Sequence, residues 1–177
     1  MSENAGWESV NVYRMNLEID KTTRIPKEAS VHKPEDARDI VNLVLGLNNS
    51  AVEKFGFIAV DAENKVIGVQ VMSVGGSNMA SVEEDMLFRA VLLSFAEGII
   101  LFHNHPSGNV QPSYPDIELT RKFIDSGSVL SIPVYDHIIV TQDDYHSMHE
   151  KKDCKFKKPR KKVYLREFFP DLVDDDD

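Results

Sequence analysis

The sequence predicts an α/β (α+β) chain in which helices pack on one β-sheet. Segments with apolar residues at helical spacing alternate with short apolar or alternating runs. One of those runs, Gly98 to Phe102 (GIILF), is apolar throughout, as a strand covered on both faces must be. The 177 residues are 42% apolar and 28% charged, a globular composition of a length that suits one domain with a real core.

The elements follow in chain order. Val10 to Ile19 reads as a strand with partial alternation, after a polar start expected to fray. His32-Lys33-Pro34-Glu35-Asp36 opens a helix, because proline near the start and acids in the first turn suit its dipole. Ala37, Ile40, Val41, Val44 and Leu45 continue it at helical spacing, and Gly46 to Asn49 ends it. Phe55 to Val60 and Val66 to Val74 are two strands, with Asp61 to Lys65 as the turn between them. After the Gly75-Gly76-Ser77-Asn78 loop, Ser81 to Glu84 has the pattern of a capping box, predicting a helix to about Ala96. The buried strand at Gly98 to Phe102 comes next, then a helix from Ser113 to about Asp125, a strand from Ile132 to Val140 and a short edge strand at Tyr145 to His149.

Composition removes several classes of function. A single cysteine, Cys154, excludes a disulfide framework and every multi-cysteine zinc site, and it suits a reducing, cytoplasmic compartment. No apolar run reaches the ~18–20 residues that span a bilayer, and the polar, acidic MSENAGWESV predicts neither a signal peptide nor a membrane role. The formal net charge of −9 argues against coating nucleic acid with the whole surface. The charge is uneven, however. Residues 1–150 carry 11 basic and 22 acidic side chains, residues 151–162 eight basic and one acidic, and residues 163–177 one basic and six acidic.

The informative segment starts where the buried strand ends: Phe102-His103-Asn104-His105-Pro106-Ser107-Gly108, continuing to Pro112-Ser113-Tyr114-Pro115-Asp116. Alternate residues of a strand share a face, so His103 and His105 project together and Asn104 points the other way. The Pro-Ser-Gly turn and the loop after it bring Asp116, eleven positions beyond His105, back to the pair. Two imidazoles and one carboxylate leave a fourth position for water, the open coordination of a catalytic zinc, which lowers the pKa of that water to about 7. Taken singly, these residues have plain readings. His-x-His on a strand is a common pair of hydrogen-bonded rings, and Ser113 with Asp116 is a capping box. The compound pattern His-x-His-Pro-x6-Ser-x-x-Asp after a buried strand favours the metal reading. A hydrolase also needs a base. Glu53, at the start of the Phe55 strand, is the candidate, and Glu63, Glu83, Glu84 and Glu97 are equal to it on chemistry alone.

These residues, together with Asp116-Ile117-Glu118-Leu119-Thr120 and Asp136-His137-Ile138-Ile139-Val140, resemble the RadC-type branch of the JAB/MPN (JAMM) metalloprotease superfamily over roughly residues 30–150. Glu53-Lys54-Phe55-Gly56-Phe57-Ile58-Ala59-Val60-Asp61 is similar to the family's Glu-x-Phe-x-x-Leu-x-Leu-Asp, which singles out Glu53 as the catalytic glutamate. The resemblance implies a JAB1/MPN fold, a mixed sheet with flanking helices related to the cytidine-deaminase fold. It further implies Zn²⁺ on His103, His105 and Asp116, Glu53 as general acid/base, and Ser113 donating a hydrogen bond to the oxyanion. Its implied substrate is a peptide or isopeptide bond, with ubiquitin-like conjugates among the family's targets. Two features depart from the pattern. No helix-hairpin-helix motif is visible in the roughly 30 residues before this part, and Glu84-Asp85-Met86 stands where the family has Pro-Arg-Glu, a change outside the metal motif. Residues 1–29 read as an extension and residues 151–177 as a basic and then acidic tail.

Other residues attract competing readings. Asp136 and His137 are either neighbours of the metal site or groove, or a buried polar pair. His146 and His149 read as surface residues, and His32 as the prelude to a helix. Cys154 lies among lysines that would lower its pKa, without a base to make it a nucleophile. Phe168-Phe169-Pro170 and Leu172 read as docking on the body, and Asp174 to Asp177 as a solvated end. Lys151 to Lys162 is the argument for nucleic acid, in a RadC-type repair or maintenance role. The adjacent His103-Asn104-His105 is not an HNH nuclease motif, whose residues lie far apart in sequence. A metal-free scaffold has no need of Glu53, His103, His105, Ser113 and Asp116 together.

Overall fold

The computed structural model describes residues 23–27, 29–75 and 82–156. The expected strand at Val10 to Ile19, the Phe168 to Leu172 segment, the second half of the basic run and the acidic end lie outside the described residues. Five strands form one mixed sheet in the order β2-β1-β3-β4-β5. They are β1 (Lys54–Val60), β2 (Val66–Val74), β3 (Gly98–Asn104), β4 (Val134–Val140) and β5 (Tyr145–Ser147). β1 runs antiparallel to both β2 and β3, β3 and β4 are parallel, and β4 and β5 are antiparallel. Parallel neighbours need a crossover, and α3 (Tyr114–Leu130) supplies it between β3 and β4.

α1 (Pro34–Leu45) covers one face of the sheet, burying Ala37, Ile40 and Val41 against Ile58, Ile100, Phe102 and Ile138. α2 (Glu84–Leu93) and α3 cover the other, where Leu87, Phe88, Val91, Phe123 and Ile124 meet Phe55, Phe57, Leu101 and Ile139. β3 lies between these layers with all seven residues buried, which is why its sequence is apolar rather than alternating. Each large side chain wholly buried here contributes about 1.5–3 kcal/mol relative to exposure.

Local chemistry sets the boundaries. α1 starts at Pro34, where the Asp36 carboxylate accepts from the His32 and Lys33 amides at 3.0 and 3.1 Å. Gly46 ends it in the left-handed region at φ 58°, and a short 3₁₀ turn, Leu47–Asn49, follows. α2 runs from Glu84 to Leu93, shorter than the expected span to Ala96. Glu83 precedes it without a side-chain cap, and Ser81 of the expected capping box lies outside the described residues. α3 continues five residues beyond the expected Asp125. Gly127 sits inside it because a Cβ there would lie 2.4 Å from the Ile132 carbonyl oxygen, so the helix packs against the chain entering β4. β4 begins at Val134 rather than Ile132, and β5 ends at Ser147 rather than His149, since Met148 to Cys154 turns back along the body.

Candidate metal centre

His103 is one residue from the end of β3, paired with Phe55 of β1 and Ile139 of β4, and it is wholly buried. His105 is just past the strand end, its side chain 17% exposed. The His-x-His spacing places both rings on the face covered by α3, with centroids 4.6 Å apart. Asn104, between them, points to the opposite face. There its Oδ1 accepts from the Lys54 amide at 2.8 Å, and its Nδ2 donates to the Ser50 and Val52 carbonyls at 3.2 and 3.1 Å. One buried amide thus ties the strand that carries His103 to the loop that carries Glu53.

Asp116 stands in the first turn of α3. Its Oδ2 accepts from the Ser113 amide at 2.6 Å, while the Asp116 amide donates to Ser113 Oγ at 3.3 Å. The expected capping box is therefore present, and it is also what aims the carboxylate. Asp116 Oδ2 lies 3.8 Å from His103 Nε2 and 3.6 Å from His105 Nε2. One donor atom from each of the three residues falls within 4.8 Å of the others. The two Nε2 atoms are 2.8 Å apart. Tetrahedral zinc with ~2.05 Å bonds keeps its ligand atoms ~3.3 Å apart, inside the range spanned by these separations. Two bare imidazole nitrogens at 2.8 Å repel, so a hydrogen or a cation belongs between them. Two neutral imidazoles and a carboxylate with an open fourth side are the donor set of a catalytic zinc.

The surroundings keep His103 and Asp116 in the forms a cation needs, whereas at His105 they favour the protonated ring, whose hydrogen a cation must displace. Burial and the neighbouring His137 push His103 well below the usual histidine range, so it is neutral. Burial raises the Asp116 carboxyl, but the hydrogen bonds and charge of His105, His103 and Ser113 together hold it well below the usual carboxylate range. The Asp116 carboxylate raises His105, against the opposing effect of burial. His105 Nδ1 lies 2.6 Å from the Asn109 carbonyl oxygen. A carbonyl only accepts, so the network places a hydrogen on Nδ1 and turns Nε2 to Asp116 and His103.

Glu53 is half-buried immediately before β1, its carbonyl accepting from the Gly75 amide at 2.8 Å. Burial raises its carboxyl, while His105 lowers and Asp116 raises it. Glu53 in turn raises His105, so its charge reaches the metal candidates. Glu63 lies in the turn between β1 and β2, and the Glu97 amide bonds the Val60 carbonyl, both at the other end of β1 from Lys54. Glu83 and Glu84 lie at the start of α2.

Two expectations change. His146 is not a surface residue. It is 4% exposed, its Nε2 2.6 Å from Asp153 Oδ2, because the turn after β5 folds over it; His149 is exposed as expected. Burial raises the Cys154 thiol instead of the lysines lowering it, and Cys154 is 7% exposed. His137 was open to two readings and satisfies both. Wholly buried on β4, its Nε2 lies 2.8 Å from His103 Nδ1 and its Nδ1 2.6 Å from Thr120 Oγ1. Burial lowers its pKa to about 3. Asp136 accepts from the His137 and His149 amides at 2.7 and 2.9 Å and from the Ser147 hydroxyl at 2.5 Å. Thr120 was not singled out from sequence as a separate residue. Its signal was position: one turn beyond Asp116 on the same helix.

A family model described as RadC-like JAB domain matches residues 31–153. The chain belongs to this RadC-like JAB family. Among curated relatives, a UPF0758 protein of Trichodesmium erythraeum is 34% identical over 128 residues, covering 72% of this chain and 52% of the relative. One from Caldanaerobacter subterraneus is 35% identical over 123 residues, 69% of this chain and 52% of the relative. One from Thermosynechococcus vestitus is 35% identical over 100 residues, 56% of this chain and 40% of the relative. The chain spans about half the length of these UPF0758 relatives. Its mixed sheet with helices on both faces agrees with the JAB/MPN fold of the RadC-like family. Among the described residues, no helix is long and apolar enough to cross a membrane.

Proposed function

We propose that this protein is a zinc-dependent hydrolase of the JAMM type that cleaves a peptide or isopeptide bond. The observation that carries the reading is the convergence of His103, His105 and Asp116 donor atoms within 4.8 Å. His103 and His105 would hold the metal through Nε2 and Asp116 through Oδ2. When bound there, zinc supplies Lewis acidity that makes water nucleophilic near neutral pH. Glu53 takes the proton of that water and passes it to the leaving amine. Its carboxyl is raised by partial burial, which makes it a better base. Ser113 Oγ accepts from the Asp116 amide, which leaves its own hydrogen to meet the substrate carbonyl oxygen as that oxygen gains charge. The substrate is a protein or peptide, and ubiquitin-like conjugates are the first class to test.

Protein purified without added metal should carry about one zinc per chain, and a protein that neither carries nor takes up zinc refutes the reading. Glu53→Gln should keep the metal and abolish hydrolysis. Wild type and Glu53→Gln, each incubated with a cell lysate and compared by mass spectrometry, should differ in at least one protein cleaved only by wild type. A Glu53→Gln protein as active as wild type would remove Glu53 from the mechanism.

The second reading is an accessory role in nucleic-acid maintenance through Lys151 to Lys162. Eight cations in twelve residues favour it. It requires DNA affinity that falls steeply with salt and disappears when residues 151–177 are deleted.

A further inference from the structure

We propose that Thr120 and His137 are positioning residues that set which ring nitrogen of His103 carries its hydrogen, leaving Nε2 bare toward His105 and Asp116. The proposal rests on the reading of these three residues as a metal site, and it follows from counting hydrogens. Thr120 Oγ1 lies 2.6 Å from the Asp116 carbonyl oxygen and 2.6 Å from His137 Nδ1, and both side chains are wholly buried. The hydroxyl has one hydrogen. The Asp116 carbonyl accepts it, as threonines in helices commonly donate one turn back. Thr120 Oγ1 must then accept from His137, which places the His137 hydrogen on Nδ1. The other acceptor near the hydroxyl, Met148 Sδ at 3.6 Å, leads to the same assignment.

Neutral His137 is then bare at Nε2, which lies 2.8 Å from His103 Nδ1. Two bare nitrogens do not meet at that distance, so His103 supplies the hydrogen from Nδ1 and its Nε2 is bare. The reversed chain, with the hydroxyl pointing at His137, would put a hydrogen on His103 Nε2 and close the site to a cation. The 2.8 Å contact between His103 Nε2 and His105 Nε2 then takes its hydrogen from His105 Nε2 until a cation replaces it, so both rings offer a bare Nε2 to the cation by different devices. His105 uses the Asn109 carbonyl at 2.6 Å. His103, inside the sheet, uses the His137 ring and the Thr120 hydroxyl. The relay ends on the main chain of Asp116, so the residue supplying the carboxylate also fixes the histidine's hydrogen.

The test reads the hydrogen directly and separately from metal uptake. Long-range proton–nitrogen NMR on metal-free protein labelled with ¹⁵N at histidine should show His103 protonated at Nδ1. Thr120→Val keeps the shape and removes the acceptor. It should weaken zinc binding ~10- to 100-fold, the usual effect of losing a partner behind a ligand, whereas Thr120→Ser should stay within about threefold of wild type. Wild-type His103 protonated at Nε2 overturns the relay even if zinc binds. A Thr120→Val protein with wild-type zinc affinity and an unchanged His103 signal also overturns it. If Thr120→Val does not fold, the wild-type NMR signal decides. Wild type protonated at Nδ1 that takes up no zinc supports the relay and refutes the metal reading.

Discussion

Replacing Asn104 by alanine should loosen the Glu53 loop while leaving the candidate metal residues in place. Asn104 is 2% exposed and makes three hydrogen bonds to the segment from Ser50 to Lys54. The Lys54 amide opens β1 and would lose its acceptor, at about 1–3 kcal/mol for a buried donor left unmet. The Ser50 and Val52 carbonyls lie nearer the surface, where water replaces the lost donor at about 0.5–1 kcal/mol each. The expected destabilisation is about 2–5 kcal/mol, measured by urea denaturation. Exchange of the Lys54 and Gly75 amides should accelerate, since Gly75 bonds the Glu53 carbonyl at 2.8 Å. Zinc affinity should change less than about threefold, because the His103 and His105 side chains leave the other face of the strand. A loss under about 0.5 kcal/mol, or unchanged Lys54 exchange, would refute the clamp. A hundredfold loss of zinc with normal exchange would show that Asn104 acts on strand β3 itself.

The remaining predictions concern stability. A Cβ at Gly56 would lie 2.0 Å from the Gln70 carbonyl oxygen and 2.7 Å from the Phe102 ring, so Gly56→Ala should cost more than about 3 kcal/mol in thermal or urea denaturation. Burial, only partly offset by the Ser147, His149 and His137 hydrogen bonds, raises the Asp136 carboxyl to about 6, against a usual 3.8. The folded state then binds more protons than the unfolded chain between those values, so this residue's contribution to stability falls as pH rises from about 4 to about 6 and is flat above. Asp136→Asn should remove that slope in denaturation curves taken across the interval, while Asp136→Leu, which strands three donors, should cost about 2–4 kcal/mol. Phe95 is 88% exposed in the left-handed region at φ 55°, so Phe95→Gly should raise stability by about 0.5–1 kcal/mol, read as a higher denaturation midpoint. Zinc at one hundred times its dissociation constant should stabilise wild type by about 2.7 kcal/mol, and Asp116→Ala should abolish the gain.

Much of the fold is written in local patterns. α1 is legible because proline, first-turn acids, helical spacing and a closing glycine agree over its full length. The ends of α2 and α3 are not legible. The extension of α3 past Asp125 depends on Gly127 meeting Ile132, a contact the sequence does not display. His146 looked exposed for the same reason: the turn that buries it brings Asp153 back from seven residues away.

At the site, the division is between identity and arrangement. Sequence alone determined the candidate donor types, their spacing and the shared face of His103 and His105, because strand periodicity is a local property of the backbone. It also marked the turn and helix start that return Asp116 to them. Tertiary structure decided what those groups touch. β4 lies beside β3 only through the α3 crossover, and that pairing brings His137 from 34 positions away onto His103 Nδ1. The pairing of β1 with β3 brings Lys54 to Asn104, 50 positions apart, and with it the loop holding Glu53. The physical reason is that hydrogen location and loop position follow from long-range sheet register, which hydrophobic burial sets over the whole core.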